Sequence, residues 1–211
     1  MKKIFSDHTF PKYNERNVMK SQMKGFEDPA LKEFTLLNSS VLMKAELKDE
    51  KFEDEFIHSF LNAAKVLAKA GRKATDRPNM YVMTRNSYAI PVLFLTRHCM
   101  ELSIKRAIKK SGRKPKTDHS LLKLWSSLLS SFPEQRSGED QKSIKNMRAF
   151  IKFITSIDDN GISLRYPHDK SGKLTQDETL FVNNEQIVTY LEKFVTQLEL
   201  IDFNSICKDD A

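Results

Sequence analysis

Apolar residues recur at spacings of three and four along several segments of this chain, and that periodicity predicts helices. One clear stripe starts at Phe52 and repeats almost every four residues to Leu67, after which Gly71 is a natural helix terminator. Residues 88–110 are the most apolar segment and carry such positions on more than one side, which predicts the core helix. Pro91 disfavours helical geometry just before it, so we expect a kink or a fresh helix start near residues 87–91.

Three further amphipathic segments follow, at residues 119–129, 139–157 and 187–201. Between the last two, the run Asp-Asp-Asn-Gly at 158–161 is a strong turn signal, and residues 162–174 read as an extended stretch with a tight turn. These patterns predict an all-α fold, an antiparallel helical bundle of four to five core helices with a small hairpin-like loop near residues 162–174.

The chain of 211 residues suits one domain with an appendage. We expect residues 1–50 to form an N-terminal arm with short helices and residues 51–205 to form the bundle. The longest uninterrupted apolar run, at 89–95, is far too short to cross a bilayer, and no secretory apolar region develops near the start. We therefore expect a cytoplasmic protein without a membrane partner.

Charge is distributed unevenly along the chain. Its formal net charge is +7, and residues 97–118 hold eight basic against two acidic residues, a local net charge of +6. Such an excess favours anionic partners, with nucleic acid as the leading candidate. The predicted nucleic-acid-binding residues are Lys105, Lys109, Lys110, Arg113, Lys114 and Lys116.

Polar residues also lie among the apolar positions of the predicted core helix. Arg97 and Glu101 are four residues apart, as are Glu101 and Lys105, so each pair can meet on one helix, with His98 adjacent. Charged groups beside a core need partners. The segment is therefore either a polar functional site or a structural ladder of ion pairs that orients the helix.

Other candidate residues come later in the chain. His119 stands at the start of a predicted helix, and Arg165, His168 and Asp169 lie in the late loop, where function is often found. A bundle could bring them to the core helix. The sequence contains no glycine-rich phosphate loop, no metal-binding set of Cys and His and no nucleophile motif, so we expect no metal and no cofactor.

The order of these features resembles prokaryotic helical proteins of the HEPN class over roughly residues 55–201. The resemblance rests on Leu-Thr-Arg-His-Cys-Met-Glu-Leu-Ser-Ile-Lys in the core helix, on Asp-His-Ser-Leu-Leu-Lys-Leu-Trp after a polar turn, and on Arg-Tyr-Pro-x-Asp before the last helix. It implies a bundle of four or five helices that is frequently dimeric and often belongs to toxin-antitoxin or antiviral systems.

Many members of this class are metal-independent ribonucleases with an Arg, four to six residues and then a His, whereas others bind RNA or a nucleotide without cleaving it. Arg113 and His119 have five residues between them and so match that spacing, although here the motif falls in a basic loop. Alternatively, Arg165 could pair with Glu101 or a backbone carbonyl and hold the loop to the core.

The resemblance leads to two functional hypotheses. The first is an endoribonuclease effector of bacterial defence or toxin function, with Arg97, His119, Arg165 and His168 as candidate catalytic residues. The second is a non-catalytic module that binds RNA or a nucleotide as a subunit of a larger complex. The expected partners are RNA or a nucleotide, a second copy of the chain, or a protein of a defence or toxin-antitoxin complex.

Overall fold

The computed structural model describes residues 49–75, 82–132, 138–175 and 182–203. Most residues in these ranges are helical and none belongs to a named strand, so the predicted all-α bundle is confirmed. The predicted N-terminal arm lies outside the described residues except for its last two positions. The helices are α1 (Asp49–Thr75), α2 (Val82–Lys110), α3 (Leu121–Leu129), α4 (Gly138–Ile157) and α5 (Asn184–Glu199).

Helix α2 is the core helix, as its apolar pattern predicts. It packs against α1, α3 and α5, while α1 also packs against α5 and α3 against α4. Met100, Ile104 and Ile108 of α2 are completely buried. Burial of such side chains contributes about 1.5–3 kcal/mol each to folding, so this helix contributes strongly to the hydrophobic stabilisation.

Pro91 lies inside a continuous helix, so the alternative of a fresh helix start near residues 87–91 is wrong. The helix already begins at Val82 and continues to Lys110. Both Pro91 and Ile90 are exposed, whereas Val92 and Leu93 are buried. The proline ring therefore faces solvent, and the next residues return the apolar side of α2 to the core.

Gly71 does not end the first helix, which continues to Thr75, so that expectation is also wrong. A terminating glycine usually adopts a positive φ, and Gly71 is not among the glycines that do. A Cβ atom at this position would lie 3.4 Å from the Cβ of Tyr88, which is an ordinary contact distance, so Gly71 lies where α1 and α2 approach each other.

The segment between α4 and α5 forms the expected tight turn. The Asp169 Oδ1 atom accepts hydrogen bonds from the amides of Ser171 and Lys173, at 2.8 and 3.0 Å. Gly172 has a φ of 82°, and a single antiparallel bridge joins His168 to Leu174. A side chain therefore organises this small loop, with only one bridge between its two arms.

Replacing Leu191 tests the core at the contact surface of α5. The side chain is completely buried, so we expect Leu191→Ala to lower the free energy of unfolding by about 2–5 kcal/mol. Leu200 is 76% exposed, and Leu200→Ala is the matched control, with an expected change below about 0.5 kcal/mol. Urea denaturation measures both, and similar losses in the two variants would contradict the described packing.

Candidate functional site

Arg97 is the buried centre of the polar cluster on α2. Its side chain is 2% exposed, and its Nε atom donates to the carbonyl of Asp158 at 2.9 Å. One terminal nitrogen, Nη2, donates to the carbonyls of His119 at 2.7 Å and Asp159 at 3.1 Å. The other, Nη1, donates to Glu101 Oε2 at 3.2 Å. Arg97 thus connects α2 to the segments that precede α3 and follow α4.

The buried carboxylate of Glu101 contacts three basic side chains. Its Oε1 atom lies 2.7 Å from Lys105 Nζ and 2.9 Å from His119 Nδ1, while Oε2 faces Arg97. Burial by itself would raise the pKa of Glu101, but the hydrogen bonds and positive charges of Lys105 and His119 outweigh it and hold this pKa below its usual value. Glu101 therefore remains ionised at neutral pH.

His119 is the exposed member of this cluster. Its side chain is 64% exposed, and its Nδ1 atom is the one that contacts Glu101. No partner is described for Nε2 among the residues that the structure covers. Because Arg97 holds the carbonyl of His119 and Glu101 holds its ring, the imidazole has a fixed position with its second nitrogen open to solvent.

The turn after α4 is built on Asp158, whose side chain is buried. Its Oδ1 atom accepts hydrogen bonds from the amides of Gly161, Ile162 and Ser163, at 2.8, 3.0 and 3.2 Å. Its Oδ2 atom lies 3.7 Å from Nε of Arg97. The predicted turn is therefore present, and its buried carboxylate adds a second negative charge beside Arg97.

The two candidate residues of the late loop, Arg165 and His168, lie in different surroundings. The guanidinium carbon of Arg165 lies 5.4 Å from the centre of the Phe94 ring, on the side of α2 where His98 also lies. His168 is exposed, and no contact between it and Arg97 or His119 is described within the covered ranges. The structure thus brings His119 and Arg97 together, and places Arg165 over an aromatic side chain rather than on Glu101.

His98 belongs to this region although the predicted catalytic set omits it. Its ring lies 4.6 Å from that of Phe60, edge to face, and 6.1 Å from that of Phe94. Burial is the largest cause that lowers the pKa of His98; the charges of Arg165, Arg97 and Lys105 add to this and Glu101 opposes it. The adjacency to Arg97 is visible in the sequence, but the contact with Phe60 joins two helices and is not.

Most of the predicted nucleic-acid-binding residues contact other parts of the chain. Lys105 binds Glu101, Lys109 binds Glu53, and Lys110 donates to the carbonyl of Glu199. Arg113, exposed in the loop after α2, donates to the carbonyl of Ser127 at 3.0 Å and to the hydroxyls of Ser130 and Ser131. Lys114 and Lys116 are exposed, without a partner among the described residues.

Two kinds of feature are missing from the part of the chain that the structure covers. No cluster of three or more His, Cys, Asp or Glu side chains has an arrangement that could hold a metal ion. No helix there has the length and apolar character needed to cross a membrane. Glu101 and His119 form a pair of potential ligands and not a cluster of three.

Gly161 provides a test of how tightly Arg97 is held. Gly161 and Gly172 have φ angles of 77° and 82°, so alanine at either position costs about 1–2 kcal/mol in backbone strain. A Cβ atom at Gly161 would also lie 2.9 Å from Arg97 Nη1, whereas none of the surrounding atoms is within 4 Å at Gly172. Arg97 cannot yield easily, because its hydrogen bonds fix it.

We expect Gly161→Ala to lower the free energy of unfolding by at least about 1 kcal/mol more than Gly172→Ala does. Urea denaturation of the two variants measures this difference, and the shared backbone strain cancels in it. Equal losses would mean that Arg97 is not confined by Gly161.

Acidification should destabilise the protein through His98. The pKa of His98 in the folded chain lies below the ordinary value of 6.5, so the unfolded chain binds the proton first as pH falls. The stability that neutral His98 contributes is therefore present above about pH 6.5 and decreases below it. Because the pKa of Glu101 is also lowered, its contribution is lost at still lower pH, below the ordinary value of 4.5.

The measurement is the free energy of unfolding between about pH 7.5 and pH 5.5, in the unsubstituted protein and in His98→Phe. We expect the pH dependence to be weaker in this variant than in the control His168→Asn, which replaces an exposed histidine. The same dependence in all three proteins would contradict the prediction.

Comparison with known proteins gives one positive result. Residues 58–196 match the family model of the HEPN domain, which is more than half of the 211-residue chain. Comparisons with curated proteins and with solved structures give no match. The matched region contains α2 to α4, most of α1 and α5, and the whole Arg97–Glu101–His119 cluster. The chain therefore belongs to the HEPN domain family.

Proposed function

We propose that this HEPN protein is a metal-independent endoribonuclease in which His119 is the general acid–base residue. The observation that carries the proposal is the exposed His119 ring, whose Nδ1 atom lies 2.9 Å from the buried carboxylate of Glu101. A histidine held in this way presents one nitrogen to a substrate while the carboxylate holds the other. The spacing between Arg113 and His119 also agrees with the family motif.

The chemistry follows from the orientation of this pair. With Nδ1–H donated to Glu101, Nε2 is the basic nitrogen, and it removes the proton of a ribose 2′-hydroxyl. The 2′-oxygen attacks the adjacent phosphorus, the bond to the 5′-oxygen breaks, and a 2′,3′-cyclic phosphate forms. A proton from the imidazolium passes to the leaving 5′-oxygen. No redox step and no additional reactant are needed.

The cationic residues have separate proposed roles. Arg97 is 2% exposed, so we assign it a positioning role: it holds Glu101 and the backbone of His119 and does not touch the substrate. Lys105 is 22% exposed beside Glu101, and it can stabilise negative charge that develops on the phosphate. Arg165 is the exposed cation on the His98 side of α2, and His168 is a second exposed histidine whose involvement the experiment below decides.

The biological setting that we propose is an effector of a bacterial toxin-antitoxin or antiviral system, acting in the cytoplasm. We also propose that the active form is a homodimer, because one chain places Arg97 out of reach of a substrate at His119 and a second copy can supply an accessible arginine. Arg113 and Arg165, both exposed, are the candidates for that residue. A protein partner that neutralises the effector would cover the same exposed histidine.

A second candidate function is a non-catalytic module that binds RNA or a nucleotide. The specific observation in its favour is that Arg97, which contacts His119, donates hydrogen bonds from all three of its guanidinium nitrogens within the chain. In that case the Arg97–Glu101–His119 cluster is a structural ion-pair network that fixes the loop before α3. RNA would then be retained in a salt-dependent manner and recovered intact.

Cleavage of a mixed RNA pool in EDTA tests the first function against the second. We expect cleavage by the unsubstituted protein, a decrease of about 10²- to 10⁴-fold in His119→Ala, and a smaller decrease in Glu101→Gln, which weakens the orientation of the ring. His168→Ala is the matched control, since it removes an exposed histidine outside the cluster. The readout is the initial rate of cleavage by gel electrophoresis.

Each result assigns a role. Loss of cleavage in His168→Ala and not in His119→Ala would move the proposed acid–base residue into the late loop. Salt-sensitive RNA binding with no cleavage by the unsubstituted protein would replace the ribonuclease proposal with the binding module. Circular dichroism spectra of all variants exclude loss of the fold as the cause.

A further inference from the structure

A large groove lies between α4 and α5, on a part of the bundle that the Arg97–Glu101–His119 cluster does not use. Its volume is about 720 Å³, which is in the range of sites that bind small molecules or single nucleotides. Both helices line it along most of their length. Four of the lining residues are aromatic: Phe150, Phe153, Tyr190 and Phe194.

Three of these aromatic side chains, those of Phe150, Tyr190 and Phe194, form one connected layer whose edge reaches solvent. Phe150 lies 5.7 Å from Tyr190 and 6.3 Å from Phe194, measured between ring centres. Tyr190 is 51% exposed and Phe153 is 38% exposed. Half-exposed aromatic rings on a supported layer provide faces on which a flat ring can stack, as in proteins that bind single-stranded nucleic acid.

The polar lining of the groove contains amides and no carboxylate. Asn146, Gln186 and Gln197 contribute side-chain amides, as does Asn183, whose oxygen already accepts a hydrogen bond from the backbone amide of Gln186, and Lys193 is the single charged residue in the lining. An amide both donates and accepts hydrogen bonds, so it can pair with the edge of any nucleobase. The composition thus combines flat apolar faces, adaptable hydrogen-bonding groups and one positive charge.

Helix α4 adds a positively charged edge to the groove. Between Gln141 and Ile157 it carries four basic residues and no acidic one. Unlike those of Lys105 or Lys109, none of the four side chains has an ion pair or hydrogen bond among the described residues, and all four residues are exposed. They are Lys142, Lys145, Arg148 and Lys152.

Helical register places most of these charges next to the groove. Lys142 precedes the lining residues Ala149 and Phe153 by seven and eleven positions, and therefore lies on the same side of α4. Lys145 and Lys152 flank Ala149 at spacings of four and three. The aromatic layer consequently has a row of unpaired cations along its α4 edge.

We propose that the α4–α5 groove binds a segment of single-stranded RNA. Bases stack on Tyr190 and Phe153, and the phosphates contact Lys142, Lys145 and Lys152, with Lys193 at the α5 side. The choice of RNA as the ligand rests on the proposed function. The groove gives that function a substrate-binding surface that is separate from the basic residues 105–116. Charge complementarity is the argument for this occupant, because only an anionic ligand with flat rings matches both the lining and the edge.

A second copy of the chain fits this groove less well. In a symmetric dimer the same patch faces itself, so the unpaired lysines of one α4 would approach those of the other. Like charges brought together in this way oppose association. An acidic protein segment would match the positive charge of the α4 edge. It would not, however, offer the amide groups of the groove any nucleobase edges with which to form hydrogen bonds.

The test of stacking uses a 5′-labelled 12-nucleotide RNA and fluorescence anisotropy. All proteins carry His119→Ala, so that binding is measured without cleavage. We expect Tyr190→Ala to raise the Kd roughly tenfold, in line with the loss of one stacked base. Leu200→Ala, which removes another exposed large apolar side chain of the same region, is the control and should leave the Kd unchanged.

The test of charge uses the triple variant Lys142→Gln, Lys145→Gln, Lys152→Gln. We expect weaker binding and a slope of log K against log salt that decreases in magnitude by about 2, since each phosphate contact on a single strand contributes about 0.7. The variant Lys114→Gln with Lys116→Gln tests the competing basic loop after α2, and we expect it to change the salt slope less than the triple variant does.

The outcomes separate the groove from the catalytic proposal. An unchanged Kd in both groove variants, or a loss confined to the Lys114 and Lys116 variant, would overturn the groove as the RNA site. A dimer that dissociates in Tyr190→Ala while RNA binding persists, measured by light scattering, would likewise overturn it in favour of an interface between copies. RNA binding that depends on the groove residues, without cleavage by the unsubstituted protein, would support the groove as an RNA site and reject only the proposed ribonuclease activity.

Discussion

The buried guanidinium of Arg97 is the constraint on which the Arg97–Glu101–His119 cluster and the start of the late loop depend. A permanently charged group in a core requires acceptors on every side, because an uncompensated buried charge costs several kcal/mol. Those acceptors come from Glu101, from the backbone before α3 and from the backbone after α4. One cation thereby determines where the ring of His119 stands and where the late loop begins.

Spacing along the chain decides how much of this arrangement could be predicted from the sequence. Helix periodicity is local, so the bundle, the core helix and the Arg97–Glu101–Lys105 row follow from residues a few positions apart. The contact between Glu101 and His119 spans 18 positions and that between Arg97 and Asp158 spans 61, and these require the fold. Gly71 shows the same limit, since its position opposite Tyr88 of the next helix is visible only in the fold.

Net charge is a weak guide to where this protein can attract an anion. The stretch with the highest formal charge packs against acidic residues and carbonyl groups of α1 and α5, so much of that charge is compensated inside the molecule. Helix α4 carries fewer basic residues, but they have no described partners. The sequence records how many charges there are, whereas the fold decides which of them remain available to a ligand.

The late position of two of the acceptors of Arg97 has a consequence for synthesis of the chain. Asp158 and Asp159 are translated well after α2 and His119, so a nascent chain that ends before them lacks the carbonyl groups that complete the shell around the guanidinium. The exposed histidine is present in such a chain, but the anchor that fixes its backbone is incomplete. Full ordering of this site therefore requires that residues 158–159 have been synthesised.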